Sequence, residues 1–293
     1  MLDLVRLHVL AAVARTGSVT KAASDLGYAQ SSVSHHLSRL EAQVGVPLTQ
    51  RAGRGIRLTP AGERLAQRAA EIVGRVESAE SELAAIADLR TGKVRVAGFQ
   101  SVLSTVVTDA AAHLQESAPG IELSLADLHP DIALQQLREG VIDVALVFRY
   151  DDTVPEDMRF THLFDDPMHL ISRQAGQTLV DHADSPWIAG CDRCRREVVS
   201  ACESAGFTPR IMYTSDDPVV EQAMVAAGLG VTTLPGLALT THRAAGIEST
   251  ELKDFRRRVY VARYGELPDA PATAAFVQAV GRAVSLLDPP ATG

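Results

Sequence analysis

The chain has 293 residues, 46% of them hydrophobic and 22% charged, with three cysteines and a net charge of −8. At roughly 150 residues per domain this suggests about two domains of ordinary globular composition. Three cysteines are too few for a disulfide scaffold, and no apolar run approaches the roughly 20 residues that span a bilayer. The segment Met1–Arg6 lacks the basic stretch and cleavage motif of an export signal, so no membrane partner and a cytoplasmic location are expected.

In chain order, residues 1–58 are basic and helical. Residues 1–60 hold seven Lys and Arg against three acids, a charge of +4 that leaves −12 on the other 233 residues. Such asymmetry points to a polyanion-binding part joined to a part of another kind. Leu4, Leu7, Ala11 and Ala14 form a helical stripe that ends at Gly17. Ser18 is placed to cap a second helix running to Leu26, with Gly27 behind it. A third helix starts at Gln30 or Ser31, puts Val33, Leu37, Leu40 and Val44 on one face, and stops at Gly45 and Pro47. Arg51–Leu58 reads as a hairpin with a glycine-containing tip.

Two helices joined by a short turn, the second exposing polar side chains near its start, describe a helix-turn-helix. Thr20, Gln30, Ser31, Ser32, Ser34, His35 and Arg39 are the candidates for bases and phosphates, and Arg51, Arg54 and Arg57 of the hairpin for the backbone or a minor groove. A solvated helix face and a basic surface hairpin account for the same residues without DNA.

Residues 59–90 read as one long helix, with Thr59 as cap and Pro60 in its first turn. Leu65, Ala69, Ile72, Val76, Ala79, Leu83 and Ile86 recur at alternating spacings of four and three. That heptad seam predicts a coiled-coil partner and so a homo-oligomer; packing against the chain's own core is the other use of such a stripe.

Residues 91–293 follow a hinge at Arg90-Thr91-Gly92. Strands are expected at Lys93–Gly98, Ile121–Ala126, Asp143–Phe148, Met168–Ser172 and Val231–Leu234. Helices are expected at Ser104–Ser117, Asp131–Glu139, Arg195–Gly206, Pro218–Ala227 and Ala272–Leu287. This alternation predicts a mostly parallel sheet with helices on both faces, long enough for two lobes. The overall class is therefore α/β, with an all-helical, hairpin-bearing N-terminal domain and a linker helix in front.

Ligands of such sheets bind at the carboxyl ends of strands. Phe99, Gln100, Ser101 and Val102 follow one strand, Phe148 and Arg149 end another, and Thr214, Ser215 and Asp216 precede a helix. They are candidate contacts for a small polar or anionic effector, with backbone amides near Ser101 holding an anion and Arg149 pairing with a carboxylate. The plainer uses are Ser101, Ser104 and Ser215 as helix caps and Arg149 in a surface ion pair.

Cys191-Asp192-Arg193-Cys194, with Cys202 beyond, admits three uses. They are small residues at a strand–helix junction, a dithiol that oxidises under the influence of Arg193, Arg195 and Arg196, or a metal set completed by His182. His113, His129, His162 and His169 show no metal-ligand spacing, and no nucleophile elbow, zinc-protease or phosphate-loop motif occurs. Neither an enzyme nor a bound cofactor or metal is expected.

The run Leu7…Gly17-Ser18-Val19-Thr20-Lys21-Ala22-Ala23…Leu26…Gln30-Ser31-Ser32-Val33-Ser34…Leu37…Leu40-Glu41…Gly45-Val46-Pro47-Leu48…Arg51…Leu58-Thr59-Pro60-Ala61-Gly62 resembles the N-terminal winged helix-turn-helix of the LysR-type transcriptional regulators. Weaker echoes follow at Gly98, at Leu137–Gly140 with Asp143, and at Ala226–Val231 with Leu234-Pro235. The resemblance implies a dimer or tetramer on double-stranded promoter DNA and a two-lobed, periplasmic-binding-protein-like domain that takes a small-molecule effector. It carries DNA contact to Gln30, Ser34, His35 and the hairpin arginines. His8, Val19 and Thr49 stand where many members have an aromatic residue, and Ser31 where many have proline. The competing reading, a solute-binding receptor-like α/β protein without a DNA role, leaves the basic N-terminal segment unexplained.

Overall fold

The computed structural model describes residues 2–52, 55–87, 92–151, 153–265 and 267–287. Helix α1 (Leu4–Thr16) is capped by Asp3, whose carboxylate accepts from the Arg6 N–H, and α2 (Val19–Asp25) by Ser18, which accepts from Lys21. Gly17 and Gly27 sit at φ +64° and +67° in the two reversals, a region glycine enters without steric penalty. Helix α3 spans Gln30–Val44, and β1 (Thr49–Ala52) pairs antiparallel with β2 (Gly55–Leu58). The Glu41 carboxylate accepts from the Leu48 and Thr49 N–H groups and the Thr49 hydroxyl at 2.8–2.9 Å, which fastens α3 to the hairpin.

Helix α4 (Pro60–Ala87) starts at Thr59, whose hydroxyl accepts from the Gly62 N–H. The core beneath joins Leu10, Val13, Val33, Leu37, Leu40 and Leu48 to Ala66, Ala69 and Val73 of α4. Because α2, α3 and α4 all pack on α1, its buried side includes Val9 and Ala12, while Leu4 and Ala14 of the expected stripe are exposed.

The heptad seam is likewise divided. Leu65 is half-buried and Ala69 fully buried against the chain's own N-terminal core, so these two are intramolecular contacts. Ile72 and Leu83 remain 41% and 68% exposed. Apolar spacing alone does not distinguish these two uses, since the first turns of α4 serve as the fourth helix of the N-terminal unit. The Ile86 side chain lies outside the described residues.

The C-terminal region begins with β3 (Gly92–Gly98) and a continuous helical stretch, α5 (Gln100–Val102), a π-turn over Leu103–Val107 and α6 (Thr108–Ser117). Then come β4 (Ile121–Asp127), α7 (Pro130–Arg138), β5 (Val144–Arg149) and β6 (Met158–Ser172). They are followed by β7 (Pro186–Ala189), α8 (Asp192–Ser204), β8 (Arg210–Thr214), α9 (Pro218–Ala226) and β9 (Thr232–Pro235). The described part ends with α10 (Gly236–Thr241), β10 (Glu248–Tyr264) and α11 (Pro271–Ser285).

The large sheet has the order β4-β3-β5-β10-β6-β9. Strand β3 runs parallel to β4 and β5, but β10 is antiparallel to β5 and β6, and β9 to β6. The sheet is therefore mixed, not mostly parallel. Two long strands cross between lobes in opposite directions: β6 leads out of the first lobe and β10 returns to it, with a break in their register between Glu251 and Arg256. Strands β7 and β8 pair in parallel, and a Trp187–Val231 bridge joins them to the second lobe. The first lobe packs around Phe276 and Leu146, the second around Trp187 and Ile188.

Helix α4 leans on the first lobe through glycine. A Cβ on Gly74 would stand 2.5 Å from Gly140 Cα and 2.7 Å from the Glu139 carbonyl oxygen. Beside it the Arg75 guanidinium donates to the Tyr264 hydroxyl at 2.9 Å and lies over its ring. Among the described residues no helix is long and apolar enough to cross a membrane.

Candidate DNA-binding face and inter-lobe cleft

On α3, Gln30, Ser31, Ser34, His35 and Arg39 are exposed opposite buried Val33, Leu37 and Leu40, while Ser32 is half-buried. Ala29 precedes the helix and offers no side-chain cap, so no side chain competes for the first-turn amides where a phosphate would sit. The His36 ring stacks on Tyr28 and meets His35 edge-on, which orders that face. Thr20 is exposed in the first turn of α2, and Arg51 and Arg57 on the hairpin. Arg54 lies outside the described residues.

A cavity of about 500 Å³ opens between the two α/β lobes. Phe99, Gln100, Ser101, Phe148, Ser215 and Asp216 line it, as expected from their places at strand ends. Three other expected residues do not. Val102 is fully buried in the first-lobe core. Arg149 points to the other side of β5 from Phe148, as strand alternation requires, and donates to Asp151 and Thr153 at 3.1 Å. Thr214 ends β8 exposed, outside the cavity lining. The capping alternative also changes, because Phe99 and Asp217, not Ser101 and Ser215, hold the N-cap positions of α5 and α9.

The floor of the cleft is a buried polar cluster around Arg257, a residue concealed in the sequence within Arg256-Arg257-Arg258. Its guanidinium donates to Ser101 Oγ at 2.7 Å and to Asp166 Oδ2 at 2.9 Å, and packs on the rings of Phe99 and Phe148, which meet edge-to-face, at 4.6 and 4.7 Å from their centres. Asp166 also accepts from the Leu237 N–H. Arg257 and Asp166 are only 5% and 2% exposed. With Arg257 already answered by Asp166, and Asp127, Asp216 and Asp217 also on the wall, the fixed charges suit a polar or cationic ligand better than an anion.

Burial pushes the Glu221 carboxyl up to about 8, against a hydrogen bond from the Thr232 hydroxyl. A carboxyl that binds its proton more tightly when folded stabilises the fold most below its ordinary value near 4.5, and that stability drains away as pH rises through 8. Thermal melts are expected to fall between about pH 5 and pH 9 by the equivalent of a few kcal/mol, and Glu221→Gln to flatten that slope. Identical slopes for parent and variant would show that Glu221 titrates as an ordinary carboxyl.

Cys191 ends the β7–α8 loop and Cys194 lies in the first turn of α8. A hydrogen bond from Cys194 lowers the Cys191 thiol to about 6, with the α8 amides and His129 adding to the effect; the same bond, and burial, push Cys194 up. Burial also raises the Tyr150 hydroxyl, which touches Cys194. Cys202 is a core residue of the second lobe, raised to about 12 by burial. His182 does not complete a metal set with these thiols, because its ring nitrogens meet Ser185 and Gln177.

Two family models match the chain: "Bacterial regulatory helix-turn-helix protein, lysR family" over residues 4–63 and "LysR substrate binding domain" over residues 87–285. The regulator YofA of Bacillus subtilis is 30% identical over 238 residues, covering 80% of this chain and 81% of the relative. ArgP of Mycobacterium tuberculosis has the same fold, with a TM-score of 0.70 at 23% identity over 98% of this chain and 99% of that one. Full-length CbnR, a structure solved with its target DNA, aligns at a TM-score of 0.68 and 22% identity over 96% of this chain and 100% of that one. Together the two domain matches, in the order seen in the fold, place the chain in the LysR family of transcriptional regulators, with a helix-turn-helix DNA-binding domain and an effector-binding domain.

Proposed function

We propose that this regulator grips promoter DNA with residues 1–58, pairs through the linker helix of residues 59–90, and is switched by a small molecule held between the lobes of residues 91–293. The observation that carries the DNA reading is α3, whose exposed side is polar from Gln30 to Arg39 while its opposite side is core, on a segment of charge +4. The CbnR–DNA complex supports it, since that protein holds its target DNA on the same fold. The protein acts in the cytoplasm as a binding protein and not as an enzyme. A ligand switches it only by binding two lobe arrangements with different affinity.

Electrophoretic retardation on DNA from the neighbouring promoter tests this reading. Gln30→Ala should narrow the gap between operator and random DNA by about 1–3 kcal/mol, the value of one good base contact. Arg51→Ala should weaken binding to both DNAs and flatten the salt dependence, as loss of a phosphate contact does. Parental affinity and selectivity in both variants would remove α3 and the hairpin from the interface.

Pairing is placed on the exposed half of the α4 seam. Joint replacement of Ile72 and Leu83 by Glu would bury charges in an apolar contact, a cost that dissociates a dimer. Light scattering should show the smaller species, while pairing of effector domains into tetramers would persist as a separate association. Parental mass in the double variant would place the dimer contact elsewhere.

A further inference from the structure

Three side chains with metal-ligand chemistry meet at the rim of the cleft, and they come from both lobes. His129 precedes α7 in the first lobe; Cys191 precedes α8 and Asp216 lies between β8 and α9 in the second. One atom of each, an imidazole nitrogen, the thiol sulfur and a carboxylate oxygen, lies within 4.8 Å of the other two. His129 Nε2 faces Asp216 Oδ2 at 3.9 Å. Cys194, in the first turn of α8, is not among the donors that lie this close together. Gly190 leaves room for this arrangement, since a Cβ there would lie 3.0 Å from Asp216 Oδ1. No spacing in the sequence reveals it, because the strand order, not a local motif, brings residues 129, 191 and 216 together.

We propose that the cleft binds one thiophilic divalent cation of the zinc class across the two lobes, through His129, Cys191 and Asp216, with water completing the coordination. The proposal rests on the reading of this cleft as the effector site and names the chemical class of its ligand. Nitrogen, sulfur and oxygen donors together suit a borderline metal, whereas magnesium and calcium take oxygen donors. Tetrahedral zinc with bonds of about 2.0–2.3 Å sets its donors about 3.3–3.8 Å apart. The three donors therefore need to draw in by at most about 1–1.5 Å. Because His129 is on one lobe and the other donors are on the second, that contraction is a closure of the cleft. The acidic wall favours a cation, and the one buried guanidinium is already neutralised by Asp166.

The test uses the full-length protein, stripped with a chelator, kept reduced by a phosphine, and titrated with Co²⁺ as the optical stand-in for zinc. One cobalt per chain is expected, with a thiolate-to-cobalt charge-transfer band and displacement by Zn²⁺. Cys191→Ser should abolish the band, His129→Ala should weaken binding at least tenfold, and Cys202→Ser should leave both unchanged. Far-ultraviolet circular dichroism and melting confirm folding; where a variant unfolds, Cys191→Ala and His129→Gln replace it. No band in the parent, or parental affinity in folded His129→Ala, overturns the inter-lobe site and leaves the effector reading of the cleft intact. Promoter retardation with and without Zn²⁺ separates the two: the band as expected but unchanged DNA binding supports the metal site and defeats the cleft as the switch.

Discussion

Replacing Arg257 by methionine is expected to cost the effector-binding domain about 3–5 kcal/mol, the penalty for breaking a buried ion pair by removing one partner. The cost arises mainly at Asp166, which is 2% exposed and would keep only the Leu237 N–H as a partner. The Ser101 hydroxyl would lose its bond, and Phe99 and Phe148 the cation packed on their rings. Adding Asp166→Leu to the methionine variant should recover much of the loss, because a hydrophobic pair of similar volume has no charge to desolvate. Denaturant unfolding of the parent, both single variants and the double variant measures the coupling. A loss under about 1 kcal/mol for Arg257→Met would mean that water reaches the pair. By the same geometry, Ser101 acts first by holding Arg257 and only through it on a ligand.

Gly74→Val is expected to separate α4 from the first lobe without harming the helix. Valine is a better helix former than glycine by roughly 0.5 kcal/mol, so α4 itself gains. The contact is lost because Gly140 Cα and the Glu139 carbonyl stand 2.5 and 2.7 Å from the new Cβ, and both are backbone atoms that cannot turn away. Cavities of about 880 and 580 Å³ flank the contact, and the other support comes from the Arg75–Tyr264 pair and the approach of α4 to β3 and α11. Small-angle X-ray scattering should show a larger radius of gyration for the variant, with each domain still melting cooperatively. Unchanged dimensions would show that the glycine contact does not set the domain arrangement.

The N-terminal domain was legible because its signals are local: caps at Ser18 and Thr59, glycines that end helices, and apolar spacing on α3. The strands β3 and β5 were legible as short apolar runs. Strand β10 was not, since Glu248–Tyr264 carries Glu248, Glu251, Lys253, Arg256, Arg257, Arg258 and Arg263. Charge in such a run normally means solvent, yet Arg257 is buried by a partner 91 residues away. The cleft was legible in its strand ends, Ser101 and Phe148, and illegible wherever side-chain direction decides, as at Arg149 and Val102. The α4 seam could be counted but not allocated, because Ala69 and Ile72 look alike in spacing and differ only in what the fold puts beside them.

The two long crossing strands also order events on the ribosome. Strand β10 pairs with both β5 and β6, and α11 packs on the first-lobe core, so neither lobe has its full sheet until residues 248–285 have emerged. The DNA-binding core needs nothing beyond Val73. During synthesis, then, the reader of DNA is finished long before the part that governs it, and a nonsense mutation between residues 90 and 248 yields a fragment that retains the reader and lacks the control. Such truncations should behave genetically as deaf occupants of the operator and not as simple losses.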